Sequence, residues 1–164
     1  MSTLKRPNAQ ISTDPRLQVR GLSAWLAVVR TYQKCSEVMS AGIKPLGLKL
    51  AQHDVLMSLL LEPQQSQQQL AQRSFVTKSH MSGVIVQMVE LGWLKRANSA
   101  IDKRTHVVTL TASGKALARR AFAVQTQVVQ LMMQALSDKQ MADLENMSRD
   151  AAVALSAHES GLRV

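Results

Sequence analysis

The stretch that most restricts the fold of this chain is residues 92–114, which read GWLKRANSAIDKRTHVVTLTASG. A short basic segment, Trp93 to Ala97, leads into a polar tip that carries the triplet Asp102-Lys103-Arg104. A second segment, Thr105 to Thr111, returns and stops at Ser113-Gly114. Two short segments around a polar tip predict a β-hairpin with a positively charged end. Because a helix-like segment precedes it, the hairpin can reach along a nucleic-acid backbone while that helix enters a groove.

The charge of the chain narrows the class of partner. Lys and Arg number 20 against 11 Asp and Glu, which gives a net charge of +9 over 164 residues. Such an excess favours a polyanionic partner, either nucleic acid or a membrane surface, and the simplest alternative is a basic but inert surface. The length suits one domain, or one domain with an extension, that can bury a core.

Cysteine content and apolar runs bear on the compartment. The single cysteine, Cys35, excludes an internal disulfide and fits a reducing cytosol. No apolar run approaches the roughly 18 residues that span a bilayer. Residues 1–16 are polar, hold two prolines and lack a signal-peptide core, so we expect a flexible N-terminal arm. We therefore expect a cytoplasmic protein that has no membrane partner.

Apolar spacing predicts two helices at the start of a single domain, residues 17–164. Between Leu17 and Ala41 the apolar residues recur at near-helical intervals, and Gly42 is expected to end this helix. Leu50 to Glu62 is strongly apolar and stops before Pro63, which predicts a buried helix.

Two shorter helices are predicted between this buried helix and the hairpin. Ser66 can cap a helix through Arg73, and Thr77 can cap a second helix from Lys78 to Leu91. Gly92 stands where a helix C-terminal glycine belongs. The apolar face of the second helix consists of Met81, Val84, Ile85 and Met88. Helix, short turn and helix form the helix-turn-helix arrangement, and the hairpin follows at once.

The chain after Gly114 predicts two long helices that have little else in the chain to pack on. Apolar residues repeat at three- and four-residue intervals from Leu117 to Ala135, and Ser137 with Gln140 forms a capping box for the last helix. The apolar stripe of that helix consists of Met141, Leu144, Met147, Ala151 and Leu155. Together with the first helix, these two are expected to bury their stripes in a second subunit.

The predicted fold class is mainly α with a small β-hairpin wing (α+β). Residues 50–112 form the predicted winged helix-turn-helix, and residues 17–46 and 113–158 form the predicted helical dimerisation region.

Three motifs around the hairpin resemble the multiple-antibiotic-resistance regulator (MarR) family of bacterial transcription factors. They are Gly92-Trp93-Leu94-Lys95-Arg96, Asp102-Lys103-Arg104 and Leu110-Thr111-Ala112-Ser113-Gly114, in the order and spacing of the family. The resemblance covers about residues 17–157, including the order of the elements. It implies a triangular homodimer whose first and last two helices form the interface. Each subunit would present its winged helix-turn-helix to half of a pseudo-palindromic operator, and most relatives repress until a small ligand or an oxidant releases them.

Candidate base contacts lie off the apolar face of the second helix of the motif. They are the short polar side chains Ser79, His80, Ser82 and Gln87. Glutamine can pair with adenine, and serine can donate or accept a hydrogen bond. His80 can instead contact a phosphate, and a merely solvated helix face is the alternative for all of them.

Arg104 at the hairpin tip is the strongest single candidate, because its guanidinium can enter a narrow, electronegative minor groove. Asp102 is expected to orient Arg104 rather than to touch DNA, and the alternative is an ordinary surface ion pair worth about 0–1 kcal/mol. The expected phosphate contacts, which position without specifying sequence, are Arg73, Lys78, Lys95, Arg96 and Lys103.

The resemblance also implies an effector pocket between the dimer helices and the DNA-binding lobe. Its candidate residues are Trp25, Arg30, Tyr32, His53 and Met57. A cation in an apolar cleft would suit an anionic aromatic ligand, and the alternative is that these are core and interface residues. Cys35 is expected to be a structural thiol, and a redox-responsive regulator acting through Cys35 remains an alternative.

The sequence offers no support for catalysis or for a cofactor. The four histidines are scattered without acids or cysteines at metal-ligand spacing, and no nucleophile–base pair or glycine-rich phosphate loop occurs. Two Trp, two Phe and one Tyr are too sparse for a surface that stacks single-stranded bases, and Trp93 is expected to fill the core between helix and wing. A non-specific architectural DNA-binding protein and a protein–protein adaptor remain the competing interpretations.

Overall fold

The structure is a computed structural model, and it describes residues 19–74, 76–98 and 106–157. The helices of this part are α1 (Leu22–Ile43), α2 (Leu50–Leu61), α3 (Gln67–Arg73), α4 (Lys78–Glu90), α5 (Ala112–Met133) and α6 (Asp138–Ser156). The strands are β1 (Gln65–Ser66), β2 (Leu94–Asn98) and β3 (His106–Leu110), and a 3-10 turn spans Lys44–Leu46. The prediction of a mainly α fold with a small β element is confirmed. The predicted arm, residues 1–16, lies outside the described residues.

The hairpin predicted from the sequence is present as β2 and β3. They pair antiparallel, with Leu94 opposite Leu110 and Asn98 opposite His106. The first strand begins one residue later than predicted because Trp93 belongs to the turn that follows α4. The predicted tip, including Asp102, Lys103 and Arg104, lies outside the described residues.

The sheet contains a third strand that the sequence did not predict. The strand β1 pairs antiparallel with β3, and the order of the sheet is β1-β3-β2. The buried Gln65 side chain donates from Nε2 to the carbonyls of Ser58 at 2.7 Å and Glu62 at 3.1 Å. The strand therefore also satisfies carbonyls at the end of α2, where a helix has no partners of its own for them.

The core lies around α2, which packs between α4, α5 and the sheet. Its buried apolar residues come from every layer around that helix, and those least exposed are Ile43, Val55, Leu56, Leu59, Leu70, Met81, Ile85, Met88, Ala118 and Ala121. On α4 the predicted apolar face is confirmed, because Met81, Ile85 and Met88 are fully buried and Val84 packs against them.

The prediction that Gly42 ends the first helix is wrong. The helix begins at Leu22 and continues through Gly42 to Ile43. A Cβ atom built on Gly42 would lie 2.7 Å from Cγ1 of Val124 on α5, closer than real side chains approach. The glycine therefore permits α1 and α5 to pack closely, and its role is one of contact rather than of termination.

The predicted end of the second strand also needs correction, because α5 begins at Ala112 and contains Ser113 and Gly114. Thr111 caps it, since its Oγ1 accepts from the Gly114 N–H at 3.0 Å. The hydroxyls of Thr111 and Ser113 donate to the Gly92 carbonyl at 2.7 and 2.8 Å. A Cβ on Gly114 would lie 2.0 Å from the carbonyl oxygen of Trp93, so only glycine fits there.

The capping residues predicted elsewhere are confirmed. Ser66, Thr77 and Ser137 each accept a hydrogen bond from the backbone N–H three residues later. Gly92 adopts φ 71 after α4, as its position predicted. Each cap of this kind contributes about 1 kcal/mol.

The helices α1, α5 and α6 leave much apolar surface uncovered. The described part of α6 has no buried residue, and Met147 and Leu155 expose 62% and 70% of their surface. Other large apolar side chains exposed on these helices are Trp25, Val28, Tyr32, Leu131, Met132, Leu144 and Val153. In a single chain, the apolar stripes that the sequence predicted therefore remain exposed to solvent.

Candidate nucleic-acid interface

The helix α4 is held in a fixed orientation by its neighbours. Thr77 Oγ1 accepts from the His80 N–H at 3.2 Å, and Gln67 of α3 donates from Nε2 to the Lys78 carbonyl at 3.4 Å. Met81 and Ile85 anchor the opposite face in the core. The first turn of α4 consequently faces solvent, and the N-terminus of a helix carries a partial positive charge and free N–H groups.

The outward face of α4 carries most of the predicted base and phosphate contacts. Lys78, Ser79 and His80 are exposed in its first turn, and Ser82 is half-buried one residue beyond the apolar anchor. Gly83 lies on the exposed surface of the same helix, and a Cβ there would meet nothing within 4 Å. The sequence prediction did not single out Gly83, although a glycine inside a helix is itself a signal, because it costs roughly 0.5–1 kcal/mol relative to alanine.

Gln87 is exposed near the end of α4, and its side chain is bound to a second glutamine. Gln52 of α2 is 3% exposed. It donates from Nε2 to Gln87 Oε1 at 3.1 Å and accepts from the Lys49 N–H at 2.9 Å. Pairing with adenine uses both the oxygen and the nitrogen of a glutamine amide. In this arrangement the amide oxygen of Gln87 accepts the hydrogen bond from Gln52, and the amide nitrogen of Gln87 remains available to donate to a base.

The two basic residues at the root of the wing point to opposite faces of the sheet. Both Lys95 and Arg96 are exposed on β2. Lys95 pairs with Thr109, and Arg96 pairs with Val108. Because side chains alternate along a strand, Arg96 shares a face with the buried Leu94, and Lys95 lies on the other face. The sequence grouped these cations as equivalent phosphate contacts, and the register separates them.

Arg73 at the end of α3 already has a partner. Its guanidinium pairs with the Glu62 carboxylate just after α2, and both side chains are about half exposed. A surface pair of this kind contributes about 0–1 kcal/mol, so a phosphate can compete for the arginine. Asp102, Lys103 and Arg104 belong to the undescribed tip.

The two grooves along α1, within the part of the chain that the structure describes, are lined by different candidate effector residues. Trp25 and Tyr32 are 60% and 73% exposed on α1, and His53 is 5% exposed on α2. Tyr32 lines a groove of about 750 Å³ between α1, α5 and α6, whereas Arg30 lines another of about 800 Å³ between α1 and α5. Half-buried Cys35 borders both grooves. Met57 is half-buried, and neither it nor His53 is among the residues that line these two grooves.

His53 is a buried polar residue with incomplete bonding. Its Nδ1 lies 3.3 Å from Oδ1 of Asp54, and its Nε2 has no hydrogen-bond partner among the described residues. Within residues 19–74, 76–98 and 106–157, no three His, Cys, Asp or Glu residues are grouped to hold a metal ion. A search of the same residues finds no helix both long and apolar enough to cross a bilayer.

Helices α3 and α4, followed by the antiparallel strands β2 and β3, define a winged helix-turn-helix protein. The model of the MarR family matches residues 46–105. The HTH-type transcriptional repressor Rv2887 of Mycobacterium tuberculosis is 38% identical over 86 residues, or 52% of this chain. That match spans 62% of the repressor, less than two thirds of its length.

Solved structures extend the similarity beyond the winged helix. The MarR family protein Rv2887 of Mycobacterium tuberculosis in complex with salicylic acid is 30% identical, with a TM-score of 0.62, over 76% of this chain and 93% of that one. A mutant MarR from E. coli complexed with operator DNA is 22% identical, with a TM-score of 0.70, over 80% of this chain and 95% of that one, a likeness of fold. The chain belongs to the MarR family, which confirms the resemblance of its wing motifs.

Proposed function

We propose that this chain is a sequence-specific regulator of transcription, a homodimeric repressor that binds a pseudo-palindromic operator. The observation that carries the proposal is the mounting of α4. Its apolar side is fully buried, and its first turn presents Lys78, Ser79 and His80 to solvent. A recognition helix of this kind places its N-terminal residues against base edges in the major groove.

The proposed division of labour separates base contacts from phosphate contacts. Ser79, His80 and Ser82 would meet base edges, and Gln87 would contribute its free amide nitrogen. Lys78 and Arg96 would neutralise phosphates on either side of the groove. The net charge of +9 supports such a partner, because each neutralised phosphate releases a counterion and makes binding depend on salt.

The wing would extend the contact into the minor groove. Arg104 is the proposed minor-groove side chain, with Asp102 orienting it and Lys103 on the backbone. The strands that carry this tip are anchored in the core, because their own side chains Leu94, Val108 and Leu110 are buried.

A second copy of the chain is the proposed cover for the apolar faces of α1, α5 and α6. Exposed side chains such as Trp25, Leu131, Met147 and Leu155 are large and lie along three helices. Burying them contributes about 25 cal/mol per Å² of apolar surface. A two-fold dimer would also set two copies of α4 at the spacing of operator half-sites.

A small anionic aromatic compound is the proposed signal that releases the operator. The related protein Rv2887 is known in complex with salicylic acid. A Bordetella bronchiseptica relative, BpsR, is described with 6-hydroxynicotinic acid as regulator of its DNA binding. Both compounds join a flat ring to a carboxylate.

The DNA-binding proposal is tested with the duplex that lies upstream of the chain's own gene. Fluorescence anisotropy should report binding that is at least about a thousandfold tighter than to a shuffled duplex at the same salt concentration. Arg104→Ala should weaken operator binding by about 10- to 100-fold and leave the oligomeric state unchanged. Lys139→Ala removes the same charge from α6, where the side chain is 83% exposed, and should leave affinity unchanged. Similar affinities for operator and shuffled DNA would instead identify an architectural protein.

A further inference from the structure

A cavity lies on the face of the sheet that carries Lys95 and Thr109. It is about 490 Å³ in volume, is partly open to solvent, and is bordered by the end of α2, one face of β2 and β3, and the first turns of α5. This size falls within the ~300–1,000 Å³ typical of small-molecule sites. Its position is distinct from the grooves along α1 that hold Tyr32, Arg30 and Cys35.

Three cations converge on this cavity from two elements. Lys115 and Arg119 are four residues apart on α5 and so share one face of that helix, and Lys95 reaches the cavity from β2. No acidic residue lines the cavity, and none of the three cations is ion-paired within the described part of the chain. Among the described residues, the charge at this cavity is therefore positive and has no acidic partner.

Part of the cavity wall is apolar, and one buried polar atom beside the cations has no hydrogen-bond partner among the described residues. Leu60 and Pro63 line the cavity at the end of α2. Thr109, directly across the strand pair from Lys95, has a buried hydroxyl oxygen without a hydrogen-bond partner among the described residues. Buried polar groups are almost always satisfied, so an unused hydroxyl beside a cationic cluster indicates a place for a ligand oxygen.

We propose that this cavity binds a small amphipathic anion, a carboxylate carried on an aromatic or other flat apolar body. The carboxylate lies between Lys115 and Arg119, with Thr109 donating to it or to a neighbouring oxygen. The apolar body packs on Leu60 and Pro63. A bare inorganic anion would leave that apolar wall exposed to water, which is why the carboxylate needs an apolar body.

The regulatory consequence of this site rests on the proposed function. Lys95 and Thr109 belong to the two strands that carry the wing, so an occupant contacts the wing directly from behind. By linkage, the factor by which operator DNA changes the affinity for the ligand would equal the factor by which the ligand changes the affinity for the operator.

The test measures binding without DNA, so that its outcome does not depend on operator recognition. Isothermal titration calorimetry of the full chain uses 2-naphthoate as the probe and neutral 2-naphthamide as its uncharged counterpart. The double variant Lys115→Gln, Arg119→Gln should bind 2-naphthoate at least about tenfold more weakly, since two charge-assisted contacts are lost. 2-Naphthamide should bind the parent chain at least about tenfold more weakly than 2-naphthoate does.

Two matched variants locate the site. Arg120→Gln removes the adjacent exposed charge of α5, which does not line the cavity, and should keep the parent affinity. Arg30→Gln, in the groove along α1, should do the same. Thermal denaturation of each variant checks that the fold is intact. No measurable binding of 2-naphthoate to the parent chain, an unchanged affinity in the double variant, or an equal loss in Arg120→Gln or Arg30→Gln would overturn the proposal.

Discussion

The winged-helix half of the molecule and the helical half treat their apolar residues in different ways. Around α2 and α4, side chains such as Leu56 and Ile85 are completely buried within one chain. Along α6 no residue is buried, and Leu155 remains 70% exposed. The core of the first half is closed within one chain, with Ile43 of α1 and Ala118 of α5 completing it. The second half carries apolar surface that the described residues leave uncovered. The proposed recognition elements thus lie on the half whose apolar residues are buried, and the proposed subunit interface lies on the half whose apolar residues are exposed.

The largest expected effect compares two leucines with opposite burial. Leu56→Ala should lower the free energy of unfolding by about 2–5 kcal/mol, because it leaves a cavity in a packed core. Leu155→Ala should change it by less than about 0.5 kcal/mol in a dilute, monomeric sample. Urea denaturation followed by circular dichroism measures both. Similar losses for the two variants would show that the halves are equally packed within one chain.

The next largest effect concerns the proposed subunit contact. Leu131→Glu combined with Met147→Glu should raise the dimer dissociation constant by about 100-fold, since each carboxylate would lose its hydration in an apolar interface. Sedimentation equilibrium measures the constant. The control, Ala116→Glu with Ala123→Glu, adds the same charges at exposed positions of α5 and should leave the dimer intact. A dimer that survives the first pair would place the interface elsewhere.

A smaller effect is expected at the hydrogen bond between Gln52 of α2 and Gln87 of α4. Gln52→Ala should lower the free energy of unfolding by about 1–2 kcal/mol, because it removes hydrogen bonds to the Lys49 N–H and to Gln87. Gln87→Ala should cost less than Gln52→Ala. The double-mutant cycle should show a coupling energy of about 0.5–1.5 kcal/mol. Strictly additive losses would mean that the two amides do not support each other in solution.

The smallest effect separates stability from recognition. Gly83→Ala should stabilise the chain by about 0.5–1 kcal/mol, because a Cβ there meets nothing within 4 Å and helix propensity improves. Operator affinity should nevertheless fall several-fold, since the added methyl group stands on the face proposed to approach DNA. Thermal denaturation and anisotropy are measured on the same sample. Tighter operator binding would show that DNA does not approach α4 at this position.

Local signals predicted much of this fold. The caps at Ser66, Thr77 and Ser137, and the glycine after α4, each depend on a few adjacent residues, and the structure has all of them. The apolar face of α4 followed from spacing, and the buried helix α2 followed from its apolar composition and the proline after it. The strand β1 was missed because two residues in a run of glutamines carry no alternating pattern, and they pair only once β3 is in place.

The errors and gaps have a common origin in contacts between distant residues. Gly42 resembled a helix terminator, yet it is required by Val124, which is far away in sequence. The bond between Gln52 and Gln87 links residues 35 positions apart. The opposite orientations of Lys95 and Arg96 follow from the strand register. The sequence shows that both residues are positively charged, but it does not show on which face of the sheet each side chain lies.

The hydroxyls of Thr111 and Ser113 have a mechanical consequence. Both donate to the Gly92 carbonyl, so that the turn after α4 is joined to the start of α5. Gly114 also packs directly against the Trp93 backbone, which leaves little space between the turn after α4 and the start of α5. A rotation of α5 would therefore also displace the end of α4 to which these contacts join it. In a dimer assembled through α5, the angle between the two copies of α5 would set the distance between the two copies of α4.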